Sequence, residues 1–169
     1  MPDFSSCAKK LGASFNNLDL LVEALTHRSY LNEHREYVGS HNERLEFLGD
    51  AVLELAVTDF LFKKFPAKSE GELTSYRAAL VNTVSLAECA QALGIGDFLL
   101  LSKGEQKDVG RAREVILADA FEAIIGAMYL DSGFTAAEQF VAKNLYSRID
   151  DIIAKRSYQD AKSRFQEIA

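Results

Sequence analysis

Carboxylates recur in one segment of the sequence at the spacings that bring side chains together on a helix. Within residues 42–54 the acidic residues are Glu43, Glu46, Asp50 and Glu54. At about 100° per residue, these side chains fall within a stripe roughly 80° wide. The opposite side carries apolar residues that are expected to face the core: Leu45, Leu48, Val52 and Leu55. Like charges three or four residues apart repel one another, so the stripe is either a solvated face or a surface that holds a cation.

A second segment, residues 115–130, is almost entirely apolar and contains only two charged side chains, Asp119 and Glu122. Apolar residues cover nearly every other direction around the axis, which predicts a helix buried on most sides. The two carboxylates share one face, and Gly126 one turn further leaves space beside them. Burying two carboxylates together is costly unless they pair with a base, share a proton or bind a metal.

Two other interpretations of these carboxylates are possible at this point. From the second segment alone, salt bridges are as good a solution as a metal, and three arginines are candidate partners: Arg44, Arg77 and Arg113. A di-iron carboxylate bundle is a weaker alternative, because it needs Glu-x-x-His on two helices. None of the histidines, which are His27, His34 and His41, follows a glutamate by three residues.

The two segments together favour a metal site. Packed face to face, the pairs Glu46/Asp50 and Asp119/Glu122 would surround one point with four carboxylates. Hard oxygen ligands without Cys or His favour Mg²⁺ or Mn²⁺ over Zn²⁺, and Mg²⁺ usually completes its shell with water and substrate phosphate. The sequence therefore predicts metal-assisted phosphoryl transfer.

The elements that position these residues are predicted to be helices throughout. They cover residues 4–11, 18–26, 41–63, 70–82, 84–93, 112–130 and 136–155. Capping-box spacings mark three starts, and a threonine marks a fourth: Ser40/Glu43, Ser69/Glu72, Thr135/Glu138 and Thr83. Residues 27–40 and 102–110 lack a clear apolar period and are predicted to be loops. The expected architecture is an all-α helical bundle.

Composition narrows the class of protein. The net charge of −6 over 169 residues argues against a simple nucleic-acid-binding domain, which is normally basic. It is compatible with an enzyme whose acidic residues hold cations. We expect no membrane span, because no run of about 18 apolar residues occurs, and no signal peptide. Cys7 and Cys89 form no disulfide or metal motif, which favours a cytoplasmic protein with reduced thiols.

Four motifs of the sequence resemble those of ribonuclease III endonuclease domains. Residues 41–53, HNERLEFLGDAVL, closely resemble the signature of the family. The other three resemble its N-terminal, middle and second catalytic motifs, and they are residues 24–30, residues 70–73 with 77–78, and residues 116–131. The matches occur in order and extend over about residues 4–155.

The resemblance implies an all-α endonuclease domain that acts as a homodimer on double-stranded RNA, with Mg²⁺ or Mn²⁺ as the cofactor. Its products would have 5′-phosphate and 3′-hydroxyl ends with two-nucleotide 3′ overhangs, in rRNA and mRNA processing. By position, the catalytic metal ligands are Glu46, Asp50, Asp119 and Glu122, and the secondary acidic residues are Glu43 and Glu70. Because no catalytic acid is substituted, a non-catalytic RNA-binding or ribosome-associated relative is the weaker alternative. A plain helical interaction domain with solvated acidic stripes is a third.

The resemblance also implies a role for Phe47, which lies on the helix about 40° from Glu43 and away from the expected core face. In similar proteins this residue packs across the dimer interface, and the alternative is a Phe covered by a loop of its own chain. Basic residues around a glycine-bearing loop are candidates for RNA phosphate contacts: Lys103, Lys107, Arg111 and Arg113. The alternative for them is a solvated loop, since Glu105 and Asp108 lie among them.

The last residues change in character. Residues 162–167, KSRFQE, resemble the first helix of the double-stranded-RNA-binding domain that usually follows. We therefore expect an endonuclease domain over residues 1–155, then a linker and the truncated start of that second domain over residues 156–169. Much of the cationic RNA-binding surface would then lie outside this sequence, in agreement with its acidic balance.

Overall fold

The computed structural model describes residues 1–156, and the regular elements of that part of the chain are helical. The α-helices are α1 (Phe4–Leu11), α2 (Leu18–Ala24), α3 (Arg28–Glu33), α4 (Glu43–Lys64), α5 (Glu70–Val81), α6 (Thr83–Ala92), α7 (Lys103–Lys107), α8 (Arg111–Ser132) and α9 (Phe134–Val141). A 3₁₀ turn covers Ile95–Asp97, a π-helical turn covers Ala142–Tyr146, and residues 148–156 are again helical. None of these helices could cross a membrane. The all-α prediction is confirmed.

Helix α8 forms the centre of the core. It packs against α4 along most of its length and also against α2, α6 and α9. Phe121, Ile124 and Ile125 on this helix are completely buried, as the nearly continuous apolar pattern predicts. On α4, Leu45 and Val52 are buried as expected, but Leu55 is 58% exposed, so its assignment to the core is wrong. The core face of α4 is instead rotated away from Leu55 toward Leu53 and Val57, which are completely buried.

Both predicted loops contain a short helix. Helix α3 lies within residues 27–40, where the ring of His27 accepts a hydrogen bond from the N–H of Ser29. Helix α7 lies within residues 102–110, where the hydroxyl of Ser102 accepts the N–H of Glu105. Each helix is only one or two turns long, and too short for an apolar period to show. The capping side chains fix these helices locally.

Only one of the predicted capping boxes forms. At the start of α5, the Ser69 hydroxyl accepts the N–H of Glu72, and the Glu72 carboxylate accepts the N–H of Ser69. Helix α4 instead begins after Asn42, and α9 begins after Gly133, in both cases without a side-chain cap. Asn42, rather than the expected Ser40, directly precedes the first turn of α4. Asn42 is buried, and its side-chain amide donates to the carbonyl of Ala24.

Two further boundaries differ from expectation. Helix α6 is capped by Asn82 rather than Thr83, since the Asn82 side chain accepts the N–H of Ser85. The predicted helix 136–155 is interrupted by the π-helical turn at Ala142–Tyr146. The hydroxyl of Tyr146, at the end of that turn, donates to the carbonyl of Ala56 on α4 at 2.9 Å. This hydrogen bond connects the C-terminal helical segment to α4.

Candidate metal centre

Helices α4 and α8 cross at two glycines. A Cβ atom on Gly49 would lie 1.7 Å from the carbonyl oxygen of Glu122, and a Cβ on Gly126 would lie 2.2 Å from the carbonyl oxygen of Leu45. The two backbones are therefore in direct contact, and no larger residue fits at either position without moving a helix. A glycine inside a helix costs about 1 kcal/mol relative to alanine. This close crossing brings the carboxylates of the two helices together.

Three of the four predicted ligands meet at the crossing. Carboxylate oxygens of Glu46, Asp119 and Glu122 all lie within 4.8 Å of one another, and the three side chains are half-buried. Asp50, one turn after Glu46, is exposed and does not join this group. Its charge nevertheless raises the pKa of Glu122 and of Glu46, although burial contributes more to both shifts. Asp50 therefore lies at the rim of the same acidic site.

The carboxylates at the crossing hold their protons unusually strongly. Burial, together with the charges of Asp50, Glu46 and Asp119, raises the pKa of Glu122 to about 8. Burial also raises the pKa of Glu46, with added repulsion from Asp119. The pKa of Asp119 is raised by burial and by the charge of Glu43. Shifts in this direction are those expected for carboxylates without a counter-charge.

Salt bridges do not neutralise this site, so the alternative that they hold the buried acids is wrong. In residues 1–156, no basic side chain comes within ion-pair distance of Glu46, Asp50, Asp119 or Glu122. Two of the candidate arginines are engaged elsewhere: Arg77 with Glu54 at 3.0 Å, and Arg113 with the carbonyl of Gly96 at 3.3 Å.

The donor set fits a divalent metal ion. It consists of carboxylate oxygens alone, which are the hard ligands preferred by Mg²⁺ and Mn²⁺. The oxygens of Glu46, Asp119 and Glu122 are close enough to share one ion, and the exposed Asp50 lies beside them. A bound cation would supply the positive charge that these carboxylates lack and would return their pKa values toward the ordinary range.

The start of α4 is hydrogen-bonded to the segment at Thr26 and His27, which is in turn hydrogen-bonded to Leu100. The backbone N–H of Asn42 donates to the carbonyl of Thr26 at 2.9 Å, and the N–H of His27 donates to the carbonyl of Leu100 at 3.0 Å. Asn42 and Thr26 are both buried. These bonds hold the first turn of α4, which carries Glu46, in a defined position relative to the core.

The remaining predicted residues lie outside the cluster. Glu70 is in the first turn of α5, where its carboxylate accepts the hydroxyl of Thr74 at 3.2 Å. Phe47 is 83% exposed, beside a surface cavity of about 590 Å³ that is also lined by Leu48 and Leu130. The proposed phosphate contacts lie on α7 and the start of α8, and three of them are exposed: Lys103, Lys107 and Arg111. Arg113 is half-buried.

Two features of the site were missed from sequence. Gly49 is required by the helix crossing, and its signal was a glycine in the middle of a strong helical pattern, which usually has a packing reason. Arg77 neutralises Glu54 rather than the buried acids. That pairing had no signal in the sequence, because it depends on how α5 packs along α4.

Comparisons with known proteins show the family of this chain. A family model described as Ribonuclease-III-like matches residues 17–149. Ribonuclease 3 from Geobacillus sp. strain WCH70 is 52% identical over 165 residues, which are 98% of this chain and 67% of that protein. Ribonuclease 3 from Anoxybacillus flavithermus is 51% identical over 164 residues, covering 97% of this chain and 68% of that protein.

Solved structures show the same relationship. The nuclease domain of ribonuclease III from Campylobacter jejuni has a TM-score of 0.74 and 43% sequence identity, covering 84% of this chain and 98% of that domain. Dicer from Pichia stipitis has a TM-score of 0.59 and 26% identity, covering 92% of this chain and 60% of that protein. The chain therefore belongs to the ribonuclease III family of endoribonucleases.

Proposed function

We propose that the chain is a Mg²⁺-dependent endoribonuclease that hydrolyses double-stranded RNA in rRNA and mRNA precursors of the cytoplasm. The proposed products carry 5′-phosphate and 3′-hydroxyl ends with two-nucleotide 3′ overhangs. The observation that carries this proposal is the group of half-buried carboxylates at the α4–α8 crossing, for which no counter-charge exists among residues 1–156. Family membership supplies the reaction class, and the chemistry of the ligands supplies the metal.

In this proposal Glu46, Asp119 and Glu122 hold Mg²⁺, or Mn²⁺ in its place, together with Asp50 at the rim. When bound, the cation supplies activation of water and charge stabilisation at the scissile phosphate. Because the pKa of Glu122 is about 8 without a cation, this carboxyl group loses its proton when the metal binds. The exposed position of Asp50 leaves one side of the site open to the RNA backbone. In this proposal Glu43 and Glu70 are secondary acidic residues, in addition to the four metal ligands.

Cleavage of both strands follows from a homodimer. Duplex RNA is recognised largely by shape, through phosphates and 2′-hydroxyl groups, and a two-fold dimer offers one site to each strand. Phe47 supports this arrangement, because it is 83% exposed beside a surface cavity that Leu48 and Leu130 also line, and contiguous exposed apolar side chains mark contact surfaces. The nuclease domain of ribonuclease III from Campylobacter jejuni likewise has a region involved in dimer formation, which is structurally flexible in that protein.

The dimer is tested by Phe47→Ser, with Val109→Ser as the control because Val109 is also 83% exposed. Sedimentation should give a dimer for the unaltered chain and for the Val109 variant, and a monomer for the Phe47 variant. A Phe47 variant that stays dimeric would remove this residue from the interface.

The function itself is tested with a fully paired RNA duplex, incubated with the chain in the presence of Mg²⁺ or of a chelator. We expect cleavage only with Mg²⁺, and end analysis should give the proposed termini. Low ionic strength is used because salt weakens contacts between basic side chains and RNA phosphates. Binding of the duplex without cleavage at any Mg²⁺ concentration would instead identify a non-catalytic RNA-binding relative.

A further inference from the structure

An arginine neutralises each end of the acidic stripe on α4. At the N-terminal end, the guanidinium of Arg28 lies 3.2 Å from the carboxylate of Glu43. At the C-terminal end, the guanidinium of Arg77 lies 3.0 Å from the carboxylate of Glu54. Between these two ion pairs lie the carboxylates that have no basic partner among residues 1–156. The stripe therefore has a negative centre with a cation on each side.

The spacing of the two ion pairs matches an extended ligand. Glu43 and Glu54 are separated by about 16 Å along the helix axis, at 1.5 Å per residue. That distance is too long for a single phosphate and suits a backbone that crosses the site. The proposed substrate has such a backbone, with a regular series of phosphates on each strand.

Both arginines retain donors for a ligand. Arg77 uses Nε for Glu54 and Nη1 for the hydroxyl of Thr58, at 2.9 Å, so its Nη2 group has no partner among the described residues. Arg28 uses only Nη1, and its side chain is 67% exposed. A guanidinium has five N–H donors in a planar fork that suits phosphate oxygens. Each arginine can therefore bind a carboxylate on one edge and a phosphate on another.

We propose that Arg28 and Arg77 bind the duplex phosphates on the two sides of the scissile phosphate, and that Glu43 and Glu54 hold these guanidinium groups in place. The inference rests on the proposed cleavage of double-stranded RNA. The contribution of Arg77 is the larger, because its side chain is only 34% exposed and is held by two partners. A preorganised donor loses less conformational freedom when the ligand binds.

The test compares Arg77→Ala and Arg28→Ala with the unaltered chain in Mg²⁺-dependent cleavage of an RNA duplex. Lys63→Ala is the matched control, because Lys63 pairs with Asp59 on the opposite side of α4. For Arg77→Ala we expect KM to rise about tenfold, as for the loss of one charge-assisted hydrogen bond, with kcat little changed. Arg28→Ala should raise KM about threefold, since an exposed ion pair orders its side chain less. Lys63→Ala should leave KM unchanged.

Salt dependence separates phosphate binding from a structural role. Without divalent ions, the slope of the logarithm of duplex affinity against the logarithm of salt concentration should fall by about 1 in Arg77→Ala. A merely structural effect would lower affinity without changing the slope. Thermal unfolding checks the fold. If Arg77→Ala does not fold, Arg77→Lys keeps the charge but loses the fork, and its KM should rise about threefold.

The double variant Glu54→Ala/Arg77→Ala tests whether Arg77 serves only to neutralise Glu54. If it does, removing both charges restores KM and overturns the inference. If Arg77 binds phosphate, the double variant remains as impaired as Arg77→Ala. An unaltered chain that cleaves duplex RNA, combined with unchanged KM and salt slope in both arginine variants, would refute the inference alone. An unaltered chain that does not cleave would instead refute the proposed function.

Discussion

Two glutamates of this chain have opposite environments. Glu122, at the α4–α8 crossing, is half-buried among like charges, and its pKa is raised by burial and by Asp50 to about 8. Glu72, at the start of α5, is exposed, and its pKa is lowered to about 2 by hydrogen bonds from Lys68 and Ser69. Glu72 accepts hydrogen bonds from nearby residues, whereas the charged groups that act on Glu122 are all other acids. Glu72 is thus a carboxylate that caps a helix, and Glu122 is a carboxylate without a counter-charge among the described residues.

The same two regions also contain contrasting glycines. Gly49 has no space for a side chain, since an added Cβ would overlap the backbone of α8, whereas an added Cβ on Gly71 in α5 meets nothing within 4 Å. At the crossing, the clustered charges and the glycine within a helix each lower the stability of the fold. The same two features form the candidate metal centre. At the start of α5, each residue is satisfied by its neighbours. Paired substitutions in the two regions can test this difference.

The largest expected effect is on activity. Glu122→Gln removes one of the three clustered ligands, and cleavage of duplex RNA should fall by more than about 100-fold, since even outer-shell residues around metals contribute 10–100-fold. The matched control, Glu72→Gln, should cleave at the normal rate, as measured in the same assay with Mg²⁺. Binding of Mn²⁺, followed by calorimetry, should weaken only in the Glu122 variant. Full activity of that variant would show that the crossing is not the metal centre.

The next effect concerns the closeness of the crossing. Gly49→Ala forces α4 and α8 apart, so we expect a loss of stability of roughly 1–3 kcal/mol or more, as for overpacked cores, together with loss of cleavage. Gly71→Ala should instead stabilise the protein by about 0.5–1 kcal/mol, because alanine is the better helix former. Denaturant unfolding measures both. Equal stability of the two variants would mean that the helices can separate without cost.

These glycines show how far the sequence could be interpreted. The long helices α4 and α8 were predictable because each carries many turns of a regular pattern, and the candidate ligands because carboxylates are unusual in an apolar helix. The distance between the helices was not predictable, since Gly49 signals close packing without naming the partner backbone. The carbonyl of Glu122 becomes that partner only through the three-dimensional crossing.

The errors in the fold have a different physical origin. Helices α3 and α7 are stabilised by single caps and by bonds to distant segments, such as the Ser102 N–H to the hydroxyl of Ser29. Capping boxes were overpredicted because the spacing of Ser or Thr and Glu is necessary but not sufficient. At Glu43 the carboxylate pairs with Arg28 instead. Of the expected linker and start of a second domain, residues 156–169, all but Arg156 lie outside the described residues.

A third effect is the pH dependence of stability without metal. Because the pKa of Glu122 is about 8 in the folded protein and near 4.5 when unfolded, the unfolded state loses this proton first as the pH rises. Stability should therefore fall between about pH 4.5 and 8, by on the order of a few kcal/mol. Denaturant unfolding with a chelator at pH 5 and pH 8 measures the change.

Two comparisons sharpen this pH prediction. Glu122→Gln should flatten the slope between pH 5 and 8, because the titrating carboxyl group is gone. Glu72 has the opposite sign: its lowered pKa stabilises the fold above about pH 4.5, and this contribution disappears only as the pH falls toward 2. Saturating Mg²⁺ should also remove the loss at pH 8, since the cation favours the ionised ligands. A slope that is unchanged in Glu122→Gln would assign the titration to other groups.

The smallest expected effect concerns the start of α5, where we expect the capping interactions to contribute to stability and not to catalysis. Ser69→Ala removes the hydroxyl that accepts the N–H of Glu72, and loss of such a cap costs about 1 kcal/mol. Cleavage at saturating Mg²⁺ should remain normal, because this cap satisfies a helix end rather than the carboxylates of the crossing. Thermal unfolding and the cleavage assay, performed on the same preparation, measure the two quantities. A Ser69 variant that folds normally but cleaves slowly would show that the start of α5, where Glu70 lies, takes part in the reaction.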